Sequence, residues 1–138
     1  AIKEVSKCVQ GGEADFGILI CRTGYGMAIA ANKFRGIRCV PCYNEETTKF
    51  AKMHNNMNIL ALGADNVTTN EAICILRMAL ATEFEGGRHS ERLKLIEEIE
   101  KEKKFLLIYK IDIIILCIKL IWIILKRKKR KMIIPILI

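Results

Sequence analysis

The stretch FGILICRTGYGMAIAANK occupies residues 16–33 and decides the fold class. Residues 16–20 form a short, continuous apolar run, which is typical of a parallel strand buried on both faces. The chain then turns on Gly24 and Gly26, and residues 27–33 are compatible with a helix. A strand that leads through a glycine turn into a helix indicates an α/β fold with a parallel sheet.

The following segments alternate in the same way. Strands are expected over 36–40, ended by Pro41, and over 58–63. Hydrophobic spacing predicts four further helices, over residues 1–10, 45–55, 70–82 and 88–104, with Asn70 capping the third of these.

The positive charge is concentrated at the carboxyl end. The whole chain carries a net charge of +8, but residues 105–138 hold eight lysines and arginines against the single acid Asp112. Residues 1–104 are nearly neutral, so this part shows no nucleic-acid footprint. We therefore expect two parts, a folded domain over 1–104 and a hydrophobic, basic tail over 105–138.

The tail admits two interpretations. Residues 105–125, FLLIYKIDIIILCIKLIWIIL, are long enough to span a bilayer, and the KRKKRK that follows would make 105–131 a membrane anchor. Against this, Lys110, Asp112 and Lys119 lie inside the span, where charges are unfavourable. The alternative is an artefactual extension translated beyond a natural stop.

The six cysteines show no framework spacing, which favours free thiols in a reducing, cytoplasmic compartment. The CVPC at 39–42 mimics a redox motif, but no helix is expected to start after its first cysteine. No second cysteine pair completes a zinc site. We therefore assign this motif neither redox nor metal chemistry.

Cys21 stands where open α/β sheets bind ligands, at the carboxyl end of a strand. The adjacent helix start and Arg22 would both favour the thiolate, although a packing cysteine is a common alternative. The Gly24-x-Gly26 turn suits an anion held by backbone N–H groups. Ile29 replaces the third glycine of a dinucleotide fingerprint, so a dinucleotide site is not indicated.

Two later segments carry further polar candidates. His54 and Asn55 end a predicted helix, where a histidine is often only a polar cap. Arg88 and Arg92 share a face in the first turn of the helix after Gly86-Gly87, and a phosphate would relieve their repulsion. Pairing of these arginines with neighbouring glutamates is the alternative, and His89 is expected to point elsewhere and to have no role.

Taken in order from about Val9 to Glu100, these segments resemble the ribose-5-phosphate isomerase B family, which includes the galactose-6-phosphate isomerase subunits. The resemblance rests on GILIC-x-TG-x-G-M-x-IAANK, GIR, HNNMN-x-L-x-LG and EFEGGRH-x-x-R. It implies a Rossmann-like three-layer α/β/α fold and interconversion of an aldose phosphate with its ketose phosphate. It also implies no cofactor or metal, and a homodimer or tetramer with sites at the subunit interface.

The resemblance also implies a role for each candidate residue. Cys21 would be the base that moves a proton between C1 and C2, and His54 the acid that assists ring opening. The implied substrate contacts are Thr23 and the amides of the turn (Arg22, Gly24, Tyr25, Gly26), Asn55, and the phosphate ligands Arg88 and Arg92.

The sequence departs from the family pattern in four places. Arg22 replaces a glycine, and Asp65 stands where a substrate-binding arginine is usual, so that its charge would repel a phosphate. The amino-terminal strand with an Asp-His pair, with the helix and strand after it, has no counterpart here, and neither does the tail in the family. We therefore expect a ribose 5-phosphate isomerase, with an isomerase of galactose 6-phosphate or allose 6-phosphate, or an inactive fragment or interaction protein, as alternatives.

The amino-terminal strand that the sequence lacks would cover residues 16–20 in the family sheet, so we expect this first strand to lie at a sheet edge with an exposed apolar face. The chain as written should therefore be poorly soluble or unstable by itself. Size-exclusion chromatography and thermal melting test this prediction. A monodisperse sample with a cooperative melt would contradict it.

Overall fold

The computed structural model describes residues 1–102 and Ile115. The helices are α1 (Ile2–Gln10), α2 (Tyr25–Ala31), α3 (Glu45–Asn55) and α4 (Thr69–Ala81), and the strands are β1 (Gly17–Cys21), β2 (Cys39–Pro41) and β3 (Ile59–Gly63). Residues 88–102, here called α5, are helical. The packing discussed below lies within Ala1–Glu97, which forms a compact unit.

The three strands form a parallel sheet in the order β1-β3-β2. β3 lies in the middle, and all five of its residues are buried. Side chains alternate along a strand, so Ile59 and Ala61 face α1 and α2, while Leu60 and Leu62 face α3 and α4. The predicted α/β architecture with a helix-covered parallel sheet is confirmed.

β1 is buried on one face only, and the prediction of burial on both faces was wrong. Ile18 is 39% exposed and Ile20 60% exposed, whereas Leu19 between them is buried. Within the described residues β1 pairs only with β3, and the face that carries Ile18 and Ile20 is left partly open to solvent. The expectation of an edge strand with an exposed apolar face is confirmed.

Two element boundaries differ from the sequence pattern. α4 begins at Thr69 with Thr68 as its cap, not Asn70, because Thr68 and Glu71 form a reciprocal capping box. β2 spans Cys39–Pro41 and not 36–40, so Pro41 is the last residue of the strand and not the residue that follows it. Proline is accepted there because β2 is an edge strand of the described sheet.

The CVPC segment is part of the core. Cys39 and Cys42 are both buried, and burial raises the pKa of Cys39 to about 12 and that of Cys42 in the same direction. Neither thiol is therefore a ready thiolate at neutral pH. All five cysteines in the described part of the chain are free, as the spacing predicted.

The predicted tail at 105–138 lies outside the described residues, apart from Ile115. In the part of the chain that the structure covers, no helix has the length and apolar character required to cross a bilayer.

Candidate active site

The thiol of Cys21 lies where β1 ends and the glycine turn begins. The N–H of Gly24 donates a hydrogen bond to its Sγ at 3.1 Å, and Gly24 adopts the left-handed φ of 82° that this turn requires. The N–H groups of Gly24, Thr23 and Met27 lower the pKa of the thiol, while burial and the charge of Asp65 raise it, and the net direction is downward. The predicted thiolate-favouring turn is therefore present.

The turn is held in position by the end of β3. The N–H groups of Ala64 and Asp65 donate to the carbonyls of Cys21 and Arg22, each at 2.8 Å. Gly63 has no room for a side chain, because a Cβ there would come within 2.7 Å of the backbone of Thr23. The two strand ends therefore form one closely packed unit beside the thiol.

The two charged departures from the family pattern contact each other. Nε of Arg22 lies 2.9 Å from Oδ2 of Asp65 in a hydrogen-bonded ion pair. Asp65, which is expected to repel a phosphate, is thus paired with a positive charge. The pairing was not foreseen because the residues are 43 positions apart and meet only through the parallel register of β1 and β3.

The geometry of the turn predicts a selectively reactive thiol. Alkylation of Cys21 by iodoacetamide, followed by peptide mass spectrometry across a pH series, should have its midpoint below that of N-acetylcysteine measured in parallel. Buried Cys39 is the internal control and should stay unmodified. Asp65→Asn should lower the midpoint further, because it removes a charge that opposes the thiolate. A midpoint for Cys21 at or above that of the free thiol would contradict this account.

A second polar group surrounds His54 in the last turn of α3. Its ring is stacked on the ring of His89, with centroids 4.2 Å apart and an interplanar angle of 6°, and Phe50 lies on it at 5.2 Å. Oε2 of Glu85 lies 3.6 Å from Nε2 of His54 and 3.5 Å from Nε2 of His89. We call His54, Glu85 and His89 the histidine cluster.

His89 therefore does not point away from the candidate site, contrary to the sequence prediction. It is only 4% exposed, and its buried Nε2 makes no hydrogen bond within the described residues, where Oε2 of Glu85 at 3.5 Å is its contact. Burial, followed by the charges of His54 and Arg88, lowers the pKa of its imidazole. One signal was available in the sequence: His89 stands at i, i+4 and i+7 with Leu93 and Ile96, which places it on the apolar side of α5.

The histidine cluster has the composition of a metal site but not its geometry. Its three ligand atoms lie within 4.8 Å of one another. A metal bound by an imidazole lies near the plane of the ring, along the nitrogen lone pair. The two rings here are nearly parallel and stacked, so a metal ion close to both imidazoles could not lie in both ring planes. As arranged, these residues do not fit a shared metal ion.

The candidate residues fall into two groups at opposite edges of the sheet. Cys21 pairs with Gly63 at the carboxyl edge, whereas α3 returns the chain from β2 to the amino end of β3 and leaves His54 at the amino edge. One strand length, on the order of 13 Å, separates these edges. Arg88 and Arg92 are exposed near the start of α5. This start lies beside His54, because the N–H of Glu85, just before α5, donates to the carbonyl of Met53 in α3.

Comparison with known proteins identifies the same family that the sequence motifs indicate. Residues 1–96 match the ribose/galactose isomerase family. Ribose-5-phosphate isomerase B of Escherichia coli is 44% identical over 100 residues, which cover 72% of this chain and 67% of that protein. The chain spans about two thirds of the length of the curated relatives it matches.

Solved structures agree with the described fold. Ribose-5-phosphate isomerase B of Clostridium thermocellum superposes with a TM-score of 0.73 at 45% identity, over 74% of this chain and 69% of that one. The enzyme of Mycoplasma genitalium, solved with bound ribulose-5-phosphate, gives a TM-score of 0.70 at 40% identity, over 73% and 67% of the two chains. The observed helix-flanked parallel sheet is thus the fold of these enzymes.

Proposed function

Because the chain belongs to the ribose/galactose isomerase family, we propose that it interconverts an aldose phosphate and its ketose phosphate, with ribose 5-phosphate and ribulose 5-phosphate as the preferred pair. The observation that carries the proposal is the Cys21 thiol, whose pKa is lowered by the amide of Gly24 at 3.1 Å. A thiolate of this kind is a suitable base for a proton next to a carbonyl.

In the proposed step, the Cys21 thiolate takes the proton from C2 of the open-chain aldose. The electron pair of that bond forms the C1–C2 double bond of an enediolate, and the negative charge moves to the C1 oxygen. The thiol then returns the proton to C1, while the proton of the C2 hydroxyl passes to the C1 oxygen and leaves a C2 carbonyl. Backbone N–H groups of the turn from Arg22 to Gly26 and the Thr23 hydroxyl stabilise the developing charge.

A furanose must first open, and His54 is the residue assigned to this step. The C1–O4 bond breaks as O4 takes a proton from the imidazole, and the anomeric hydroxyl returns a proton to the imidazole as it becomes the C1 carbonyl. Asn55 would contact the sugar beside it. Arg88 and Arg92 would bind the phosphate as paired guanidinium groups.

The two groups of residues lie about one strand length apart, so one copy does not bring all of them to one sugar. We propose that the site forms between two copies, with the thiol turn of one facing the histidine cluster and the arginines of the other. A homodimer, or a tetramer built from such dimers, follows from this arrangement. No metal or organic cofactor enters the proposed chemistry.

The direct test is to incubate the full chain with ribose 5-phosphate in D2O and follow the products by NMR. We expect ribulose 5-phosphate carrying solvent deuterium at C1, because an enediolate exchanges the transferred proton. Galactose 6-phosphate and allose 6-phosphate, assayed in parallel, test the sugar preference. No turnover of any of the three by a folded, dimeric sample would overturn the proposal.

The second candidate function is an inactive protein that keeps the fold and the phosphate contacts. The observation that favours it is the ion pair of Arg22 and Asp65, two charged residues beside the thiol turn that depart from the family pattern. Binding of inorganic phosphate without isomerisation, lost on Arg88→Gln with Arg92→Gln, would support this alternative.

A further inference from the structure

We propose that His89 is a positioning residue, which holds the His54 imidazole in a fixed plane for ring opening of the sugar. The inference rests on the proposed isomerase function and deepens it at one step. His89 itself would touch neither the substrate nor the reacting atoms, because its side chain is almost completely buried.

The first support is the geometry of the stack. The His54 ring lies 5.2 Å from the Phe50 ring at a tilt of 33°, and its angle to the stacked ring of His89 is only 6°. His54 is partly exposed, with one third of its side chain accessible, so the partner in the stack is what limits its rotation. Restricting the ring to one orientation reduces the loss of rotamer freedom when it must meet a sugar oxygen.

The second support is the way His89 itself is fixed. Its N–H donates to the carbonyl of Gly86 at 3.0 Å in the first turn of α5, and Glu85 is tied to the end of α3 through the carbonyl of Met53. The loop 82–87 and α5 therefore carry His89 to the ring of His54 as one unit. Among the described residues the buried Nε2 makes no hydrogen bond and has only the contact to Oε2 of Glu85 at 3.5 Å, so an apolar ring would serve better if packing were the only role.

The third support is the charge of the surroundings. His89 faces His54, Glu85, Arg88 and Arg92, and of these only Glu85 favours its protonated form. Two stacked imidazolium ions at 4.2 Å would repel each other. Burial and the neighbouring positive charges therefore lower the pKa of His89 and favour the neutral ring in the stack.

The test compares net turnover of ribose 5-phosphate with exchange of the C1 hydrogen of ribulose 5-phosphate for solvent deuterium. Ribose 5-phosphate is a furanose that must open, whereas the exchange passes only through the enediolate, and ribulose 5-phosphate cannot close a five-membered ring because its O5 carries the phosphate. His89→Ala should lower kcat for ribose 5-phosphate about ten- to hundredfold, with KM little changed, while the rate of this exchange stays close to that of the parent. His89→Phe keeps a flat ring in the stack and should restore much of the lost kcat.

Equal losses in net turnover and in C1 exchange for His89→Ala would show a general structural effect and overturn the proposal, as would an unchanged kcat for ribose 5-phosphate. The chain has only two histidines, so NMR of the imidazole region gives a readout independent of turnover. The His54 signal should move in His89→Ala, through loss of the ring current, and much less in His89→Phe. If the parent turns over neither sugar, the proposed function fails. A His54 signal that does not shift in His89→Ala would reject the stacking role as well.

Discussion

Replacing Cys21 by alanine is expected to abolish isomerisation while leaving the fold intact. The thiol is the base of the proposed proton transfer, and a positioned acid–base group contributes on the order of 10²–10⁴-fold to a rate. We therefore expect kcat to fall by at least about a hundredfold, with KM for ribose 5-phosphate changed little, because the phosphate contacts lie elsewhere. Steady-state kinetics in both directions measure this effect.

Two controls separate the loss of the base from damage to the turn. Cys21→Ser keeps a side chain of similar size that can still accept from Gly24, but its hydroxyl does not ionise at neutral pH, so it should be nearly as inactive as alanine. Circular dichroism and the melting temperature should match the parent, since Cys21 is only half-buried. An alanine variant that keeps the parent rate would exclude the thiol as the base.

Replacing Gly63 by alanine should have the largest effect on stability. The added Cβ would lie 2.7 Å from the carbonyl carbon and oxygen of Thr23 and 2.7 Å from Nδ2 of Asn66. Two of these three neighbours are backbone atoms, which cannot move without displacing the turn. We expect a loss in the free energy of unfolding on the order of 1–3 kcal/mol, the usual range for an overpacked site. Chemical denaturation monitored by circular dichroism measures it.

The same substitution should also change the thiol. If Thr23 moves, the Gly24 N–H moves with it, and the alkylation midpoint of Cys21 should rise as this hydrogen bond weakens. Gly26→Ala is the matched control for stability, because its Cβ would meet no atom within 4 Å and its position is helical. Alanine there should be neutral or slightly stabilising. Equal melting of both glycine variants would contradict the close approach of the two strand ends.

Local patterns predicted most of the fold. The apolar run before Cys21, the glycines after it and the helical spacing of 45–55 each depend on near neighbours in sequence, and the structure has all three. The position of β3 between β1 and β2 could not be derived in this way, because strand order depends on contacts between distant segments. The apolar run of β1 by itself predicted burial on both faces, and only comparison with the family pattern led to the expectation of an exposed face.

The sequence indicated Cys21 and His54 as candidate residues, but it indicated neither His89 nor the arrangement of the three. Cys21 and its turn are adjacent in sequence, so their contact was foreseen. His54 and His89 are 35 positions apart in the chain and lie on different helices. Their stacking therefore depends on how α5 packs against α3, which local patterns do not reveal. The separation of the thiol from His54 likewise became visible only when the direction of α3 was known.

The ion pair between Arg22 and Asp65 has a consequence for how such proteins diverge. An acidic residue at position 65 alone would oppose the Cys21 thiolate, whereas Arg22 offsets its charge, so the acid is better accepted once the basic residue is present. The two positions should therefore co-vary among close relatives of this chain, with an acidic residue at 65 accompanying a basic one at 22. Such a pair would mark a lineage in which residues at two neighbouring strand ends beside the Cys21 thiol have changed together.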